Sequence, residues 1–183
     1  MSKPTIDLMN QKFILQLNAV LAMENAGIER LQTRIGEVSL PDAKQRLEHH
    51  LQESLEHQKM LEQLVSNIGG QPTQEKLGLP LPSYPPSMKE MMDKTMTKPE
   101  YELKRAEEDM IVENAEVCVY FMLIQQCQMA GGVYSNAIAP LSKNMNDEQE
   151  QADWLKTTSS AMLAQLWPKI QSSVVANAPP FSL

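Results

Sequence analysis

Apolar residues recur at spacings of three and four along four long stretches of this chain, the period of an α-helix rather than the alternation of a strand. The clearest stretch runs Ile14, Leu17, Leu21, position 24, Ile28, Leu31, Ile35, and predicts a helix over roughly 12–38. Position 24 is a glutamate. A second stripe, Leu47, His50, Ser54, His57, Leu61, Leu64, Ile68, begins after Pro41-Asp42 and stops before Gly69-Gly70, a proline start and a glycine stop. Its ends are apolar and its middle is polar.

Prolines 72, 80, 82, 85 and 86 exclude a continuous helix between Gly69 and Pro99, although Ser87 to Met96 is open to a short one. The segment reads as a connector. A third helix is expected from Pro99 to Ala130, apolar on nearly every face and therefore buried all round, ended by Gly131-Gly132. Val133 to Asn146, interrupted by Pro140, leads to a fourth helix near Asp147, with Glu148, Ala152, Leu155, Ser159, Met162, Leu166 and Ile170 on one face. Apolar content of 42% with only 5% aromatics suits helices better than sheets, so the expected fold class is all-α.

The second helix spans about 40 Å at ~1.5 Å per residue, so the connector after it is long enough to return the chain to the starting end. The third helix then runs parallel to the second, the crossover of a ferritin-like four-helix bundle made of two helical hairpins. The expected domain is 1–171, followed by a loose tail over 172–183.

Net charge is -7 and the cations are scattered, which leaves no electrostatic footprint for nucleic acid or an anionic membrane surface. The N-terminus lacks a basic stretch followed by an apolar run, and no segment is long and apolar enough for a membrane span, so a cytoplasmic protein is expected. Cys118 and Cys127 lie about 13 Å apart along one helix on opposite faces and cannot pair. They are read as inert core residues, and Met88, Met91, Met92 and Met96 as gap-filling core.

The buried stripes carry the chemistry. An ionised carboxylate in an apolar core must be paired, protonated or bound to a cation. Glu24 interrupts the first stripe, and Glu113 and Glu116 interrupt the third. His50, Glu53 and His57 form one ridge of the second helix, and Glu148 lies on the inner face of the fourth. Glu150 and Asp153 turn away. Hard divalent ions need several anionic oxygens and some imidazole, so Glu24, His50, Glu53, His57, Glu113, Glu116 and Glu148 are the expected metal ligands. The usual Glu-x-x-His signature is absent from the second and fourth helices, and the fourth has no histidine. An oxygen-dominated set favours a dinuclear iron or manganese centre over zinc or copper, with Glu53 and Glu148 bridging and Glu24, Glu113 or Glu116 terminal.

The stretch His50-Leu-Gln-Glu53-Ser-Leu-Glu-His57 resembles the His-Leu-Glu-Glu-Thr-x-x-Gln segment of the YciE/YciF-type ferritin-like stress proteins. Val112-Glu-Asn-Ala-Glu116-Val-Cys-Val-Tyr120 is similar to that family's Val-Glu-His-Tyr-Glu-Ile-Ala-x-Tyr segment. Ala22-Met-Glu24 and the stretch Met145 to Asp153 match more briefly, in the same order. The resemblance implies a ferritin-like bundle with a dinuclear metal centre and a role in stress responses. Asn114 stands where the motif has histidine, His57 where it has glutamine, and Gln149 where the fourth helix has another acid.

Two functions are compatible with these residues: a metalloprotein whose centre meets oxygen or peroxide, or stores or senses metal, and a metal-free bundle that uses its inner polar groups for register and partner choice. Tyr120, one turn beyond Glu116, is near enough to serve the first as a redox or hydrogen-bonding group. A homodimer or higher homo-oligomer is expected by analogy with such bundles. Nothing in the sequence carries a phosphate loop or a nucleophile motif.

Overall fold

The computed structural model describes residues 3–177 and contains five helices: α1 (Lys3–Glu37), α2 (Pro41–Asn67), α3 (Pro86–Thr95), α4 (Lys98–Met129) and α5 (Ser135–Asn177). Strands are absent among the described residues. No helix among them is long and apolar enough to cross a membrane. The four long helices form a helical bundle in which α1 packs on α2 and α4 on α5, the two pairs meeting through α1 with α4 and α2 with α5.

The crossover settles the directions. After α2, Thr73 N donates to Asn18 Oδ1 (2.9 Å), Asn25 Nδ2 to the Glu75 carbonyl (2.9 Å), and Lys76 pairs with Glu29 (2.9 Å), so the chain climbs along α1. Side-chain amides thus satisfy backbone that has no ladder of its own. The climb ends at the far end, where Thr97 caps α4 reciprocally with Glu100. Contacts of Arg34 with Asp109 and Glu24 with Tyr120, continued by Asn10 with Tyr134 just past the end of α4, run α4 antiparallel to α1, and therefore parallel to α2.

Apolar clusters close the two ends. At one, Phe13, Leu17 and Leu21 pack with Leu61, Val65, Tyr120, Leu123, Ile124 and Leu141. At the other, Leu40 and Ala43 pack with Met162 and Leu166, flanked by Leu103, Ala106 and Trp154. Between them lies a band of buried polar residues: Glu24, His50, His57, Glu113, Glu116, Glu148, Gln151, Arg34 and Asp109.

The structure differs from several expectations. α1 starts at Lys3 rather than near residue 12, and α5 starts at Ser135 and runs through Pro140 and Pro168. Pro140 lies in the second turn of α5, where the missing N–H forfeits one bond to a first-turn carbonyl without ending the helix. α4 is not buried all round, since Asn114, Cys118, Phe121 and Met122 are exposed; of the cysteines, only Cys127 is core. The methionines of the connector are not core either: α3 buries no residue, and Met88 and Met91 are exposed. The segment expected as a tail begins on α5, which runs to Asn177, and positions 178–183 lie outside the described residues.

Candidate metal centre

Each helix of the bundle puts a polar residue into the central band because its stripe continues there without a break in period. His50, Ser54 and His57 follow Leu47 at three and four and are as buried as Leu61 beyond them. Glu24 occupies the step between Leu21 and Ile28, and Glu148 the step between Asn144 and Ala152. Glu113 and Glu116 lie one turn apart on the inner face of α4. All of these polar residues are at most 5% exposed, so none reaches bulk water.

Two groups of ligand-bearing atoms result, Glu24–His57–Glu148 and His50–Glu113–Glu148, each within 4.8 Å. Glu148 belongs to both. Its Oε1 lies 2.8 Å from His57 Nδ1 and its Oε2 3.2 Å from His50 Nε2. Glu24 Oε1 is 3.3 Å from the same His57 nitrogen, and Glu113 Oε2 is 3.0 Å from the same His50 nitrogen. Each histidine therefore turns one ring nitrogen toward two buried carboxylates.

The other ring nitrogens face outward to acids. Glu53 Oε2 is 3.1 Å from His50 Nδ1, and Asp147 Oδ2 is 3.0 Å from His57 Nε2. An ionised carboxylate only accepts, so these outer nitrogens carry hydrogen and leave the inner ones, in the neutral ring, as lone-pair donors. Glu53 also meets His49 at 3.2 Å, and Asp147 meets Lys143 at 2.6 Å. Glu53 thus lies behind His50, outside both groups.

Charge is crowded at this depth. Burial pushes Glu24, Glu113 and Glu116 up, Glu113 to about 8, and the Glu148 charge adds to the effect on each. For the imidazoles burial works downward, but the carboxylates outweigh it: Glu148 and Glu24 bring His57 up to about 10, and Glu113, Glu148 and Glu53 hold His50 well above the ordinary range. Glu148 is itself raised by burial, yet the two histidines hold it below the usual carboxylate range.

Protons do not satisfy the cluster. His57 Nδ1 and both oxygens of Glu148 are buried without a hydrogen-bond partner, although 2.8 Å separates Nδ1 from Oε1. The distance is short but the alignment is wrong for a shared proton. Glu116, one turn past Glu113, makes no hydrogen bond or ion pair among the described residues; with Gly27, His50 and Ser54 it borders a void of about 10 Å³, close to the space one water needs. Tyr120 is fully buried, donates its hydroxyl to Glu24 Oε1 and accepts from Asn144 Nδ2 at 3.0 Å.

The structure brings together Glu24, His50, His57, Glu113 and Glu148, keeps Glu116 buried beside them and sets Glu53 behind His50. Asn114 points away, bonding the Met110 carbonyl and Lys156, so the position where the YciE/YciF-type motif has histidine does not face the cluster. Sequence reasoning missed Asp147 and Gln151. Asp147 was hidden by the expected helix start beside it, where an acid is ordinary. Gln151, three residues past Glu148, is fully buried with its amide oxygen held by Arg46 Nε at 2.6 Å; the Glu-x-x spacing that exposes a missing histidine points straight at it.

Residues 9–166 match the family described as a domain of unknown function, DUF892. The chain belongs to the DUF892 family. The bundle of this DUF892 protein is similar to that of a Xanthomonas campestris pv. campestris protein, with a TM-score of 0.70 at 16% identity, covering 88% of this chain and 98% of the other. It is similar also to YcfI of Rhodopseudomonas palustris, with a TM-score of 0.65 at 20% identity over 81% and 93% of the two chains. No protein with a curated description matches it.

Proposed function

We propose that this DUF892 protein is a ferritin-like metal-binding protein whose central band holds a dinuclear iron or manganese centre. The observation that carries the reading is Glu148, a buried carboxylate whose two oxygens lack hydrogen bonds and approach two different histidines. The donor set fits the group. Glu24, Glu113, Glu116 and Glu148 supply four negative charges, which two divalent ions would neutralise, and the inner nitrogens of His57 and His50 complete a set dominated by oxygen.

In this reading Glu24, His57 and Glu148 would hold one ion, and Glu113, His50 and Glu148 the other, with Glu116 beside it. Glu53 and Asp147 keep the imidazoles in the binding tautomer from behind. Tyr120 steadies Glu24 and leaves its second oxygen uncommitted. When bound, such a pair of ions supplies electron transfer to a small oxidant or serves as stored metal. The protein's own part is to keep the pocket dry and the ligands fixed, and a void of about 10 Å³ admits nothing larger than a water-sized ligand.

A cytoplasmic role in oxidative or metal stress extends this reading through the likeness to the YciE/YciF-type proteins. The test is elemental analysis of protein produced with added iron and manganese. Two ions per chain are expected, falling below one in Glu148→Gln, and substoichiometric metal in both supplementations would overturn the reading.

The metal-free interaction module is favoured by one observation, the exposed apolar residues Phe121 and Met122 on α4. It requires that Glu53→Gln with Glu113→Gln leave metal content unchanged and alter the oligomeric state.

A further inference from the structure

At the edge of the polar band, Arg34 is 2% exposed, yet among the described residues only its side-chain Nε is hydrogen-bonded, to Asp109 Oδ2 at 2.8 Å. The other oxygen of Asp109 is taken by Arg30 Nε at 2.8 Å, so one carboxylate serves two guanidiniums. Arg34 Nη1 is buried without a hydrogen-bond partner, and Glu37 Oε2 stands 3.9 Å from it. Leaving a buried guanidinium mostly unbonded is costly, and it persists where something else accepts its hydrogens.

Arg34 lines a cavity of about 430 Å³ between the end of α1 and the start of α4, together with Glu37, Lys98, Tyr101, Glu102 and Arg105. That volume lies in the range of small-molecule sites, about 300–1,000 Å³. The wall's two acids do not neutralise its three cations. Glu102 spends one oxygen on the Ser39 N–H at 2.8 Å and the other on its hydroxyl at 2.6 Å. Glu37 is shared between Arg105 at 3.1 Å and Arg34 at 3.9 Å, and Lys98 has no ion pair among the described residues.

We propose that this cavity is a binding site for a small organic oxyanion, a metabolite carrying a carboxylate or phosphate group, with the Nη fork of Arg34 as its anchor and Arg105 and Lys98 at the mouth. A guanidinium fork pinned at Nε presents its remaining hydrogens in the planar pattern that carboxylate and phosphate oxygens match. Asp109 supplies the pin, and Arg30 beside it keeps Asp109 from neutralising Arg34 in full. The site is independent of the metal reading.

The test is isothermal titration calorimetry of the full chain with inorganic phosphate and, separately, with succinate, at constant ionic strength set by chloride. Binding at about millimolar Kd or tighter is expected for at least one of them, and which one binds names the head group. Arg105→Ala with Lys98→Ala, both outside the buried network, should weaken it by about tenfold with unchanged thermal stability. Arg34→Lys keeps the charge and loses the fork, and should weaken it further. No heat from either anion at about 20 mM, or equal binding in the double variant, overturns the proposal.

Discussion

His57 Nδ1 and Glu148 Oε1 lie 2.8 Å apart, both buried, and share no hydrogen bond. The same carboxylate turns its second oxygen on His50 Nε2 at 3.2 Å. In the proposed reading this one anion between two imidazoles governs both the stability of the metal-free bundle and its capacity for cations.

Replacing Glu148 with Gln removes that anion. At pH 6 the metal-free variant should lose about 3 kcal/mol, the typical loss when one partner of a buried pair is removed. Urea unfolding of chelator-treated protein measures it, and a loss under about 1 kcal/mol would mean the histidines do not depend on Glu148.

The metal-free protein should become less stable as pH rises from about 4.5 toward 10. His57 titrates near 6.5 when unfolded and at about 10 when folded, so its contribution is complete below 6.5 and gone once pH passes 10. Glu113, raised to about 8, acts in the same direction between 4.5 and 8, because the folded state holds a proton the unfolded state has lost. Glu148, depressed by the histidines, works oppositely and only at acid pH, losing its contribution as pH falls. Metal displaces these protons, so the gap in thermal midpoint between loaded and metal-free protein should widen with pH. Midpoints measured at pH 5, 7 and 9 decide it; a constant gap would speak against proton displacement.

Tyr120→Phe takes a donor from Glu24 and leaves Asn144 Nδ2 without its acceptor. The expected cost is about 1–2 kcal/mol of stability with stoichiometry retained and metal affinity lower by about tenfold. Competition with a chelator reads the affinity, and an unchanged value would reduce Tyr120 to packing.

Gly27 touches the centre through what it lacks. A Cβ there would stand 3.3 Å from Glu116 Oε1, a side-chain atom with the small void beside it. Glu116 has room to give, so Gly27→Ala should stabilise the metal-free protein by about 0.5 kcal/mol through helix propensity, while displacing a carboxylate and weakening metal binding severalfold. Loss of stability instead would show that Glu116 cannot move.

Much of this was legible in the sequence because the site residues occupy core positions of a period-3.6 pattern. Glu24 and His57 could be found only by asking why a polar residue stands where Leu21 or Leu61 would fit, and the fold buries them as that pattern demands. What escaped were features set by the partner helix rather than the residue's own. Arg34 beside the stripe position Ile35 reads as a surface cation until Asp109 of α4 arrives to bury it. Asp147 reads as a helix-start acid until His57 faces it. Pro140 reads as a break, because sequence does not say how many turns precede it.

The central claim is that Glu148 holds two cations at once. Anomalous diffraction from crystals of the manganese-loaded protein tests it most directly. Two peaks roughly 3.5–4 Å apart, one on the Glu24 and His57 side of Glu148 and one on the Glu113 and His50 side, are the result the account predicts. A map with no peak within coordination distance of Glu148 would contradict it.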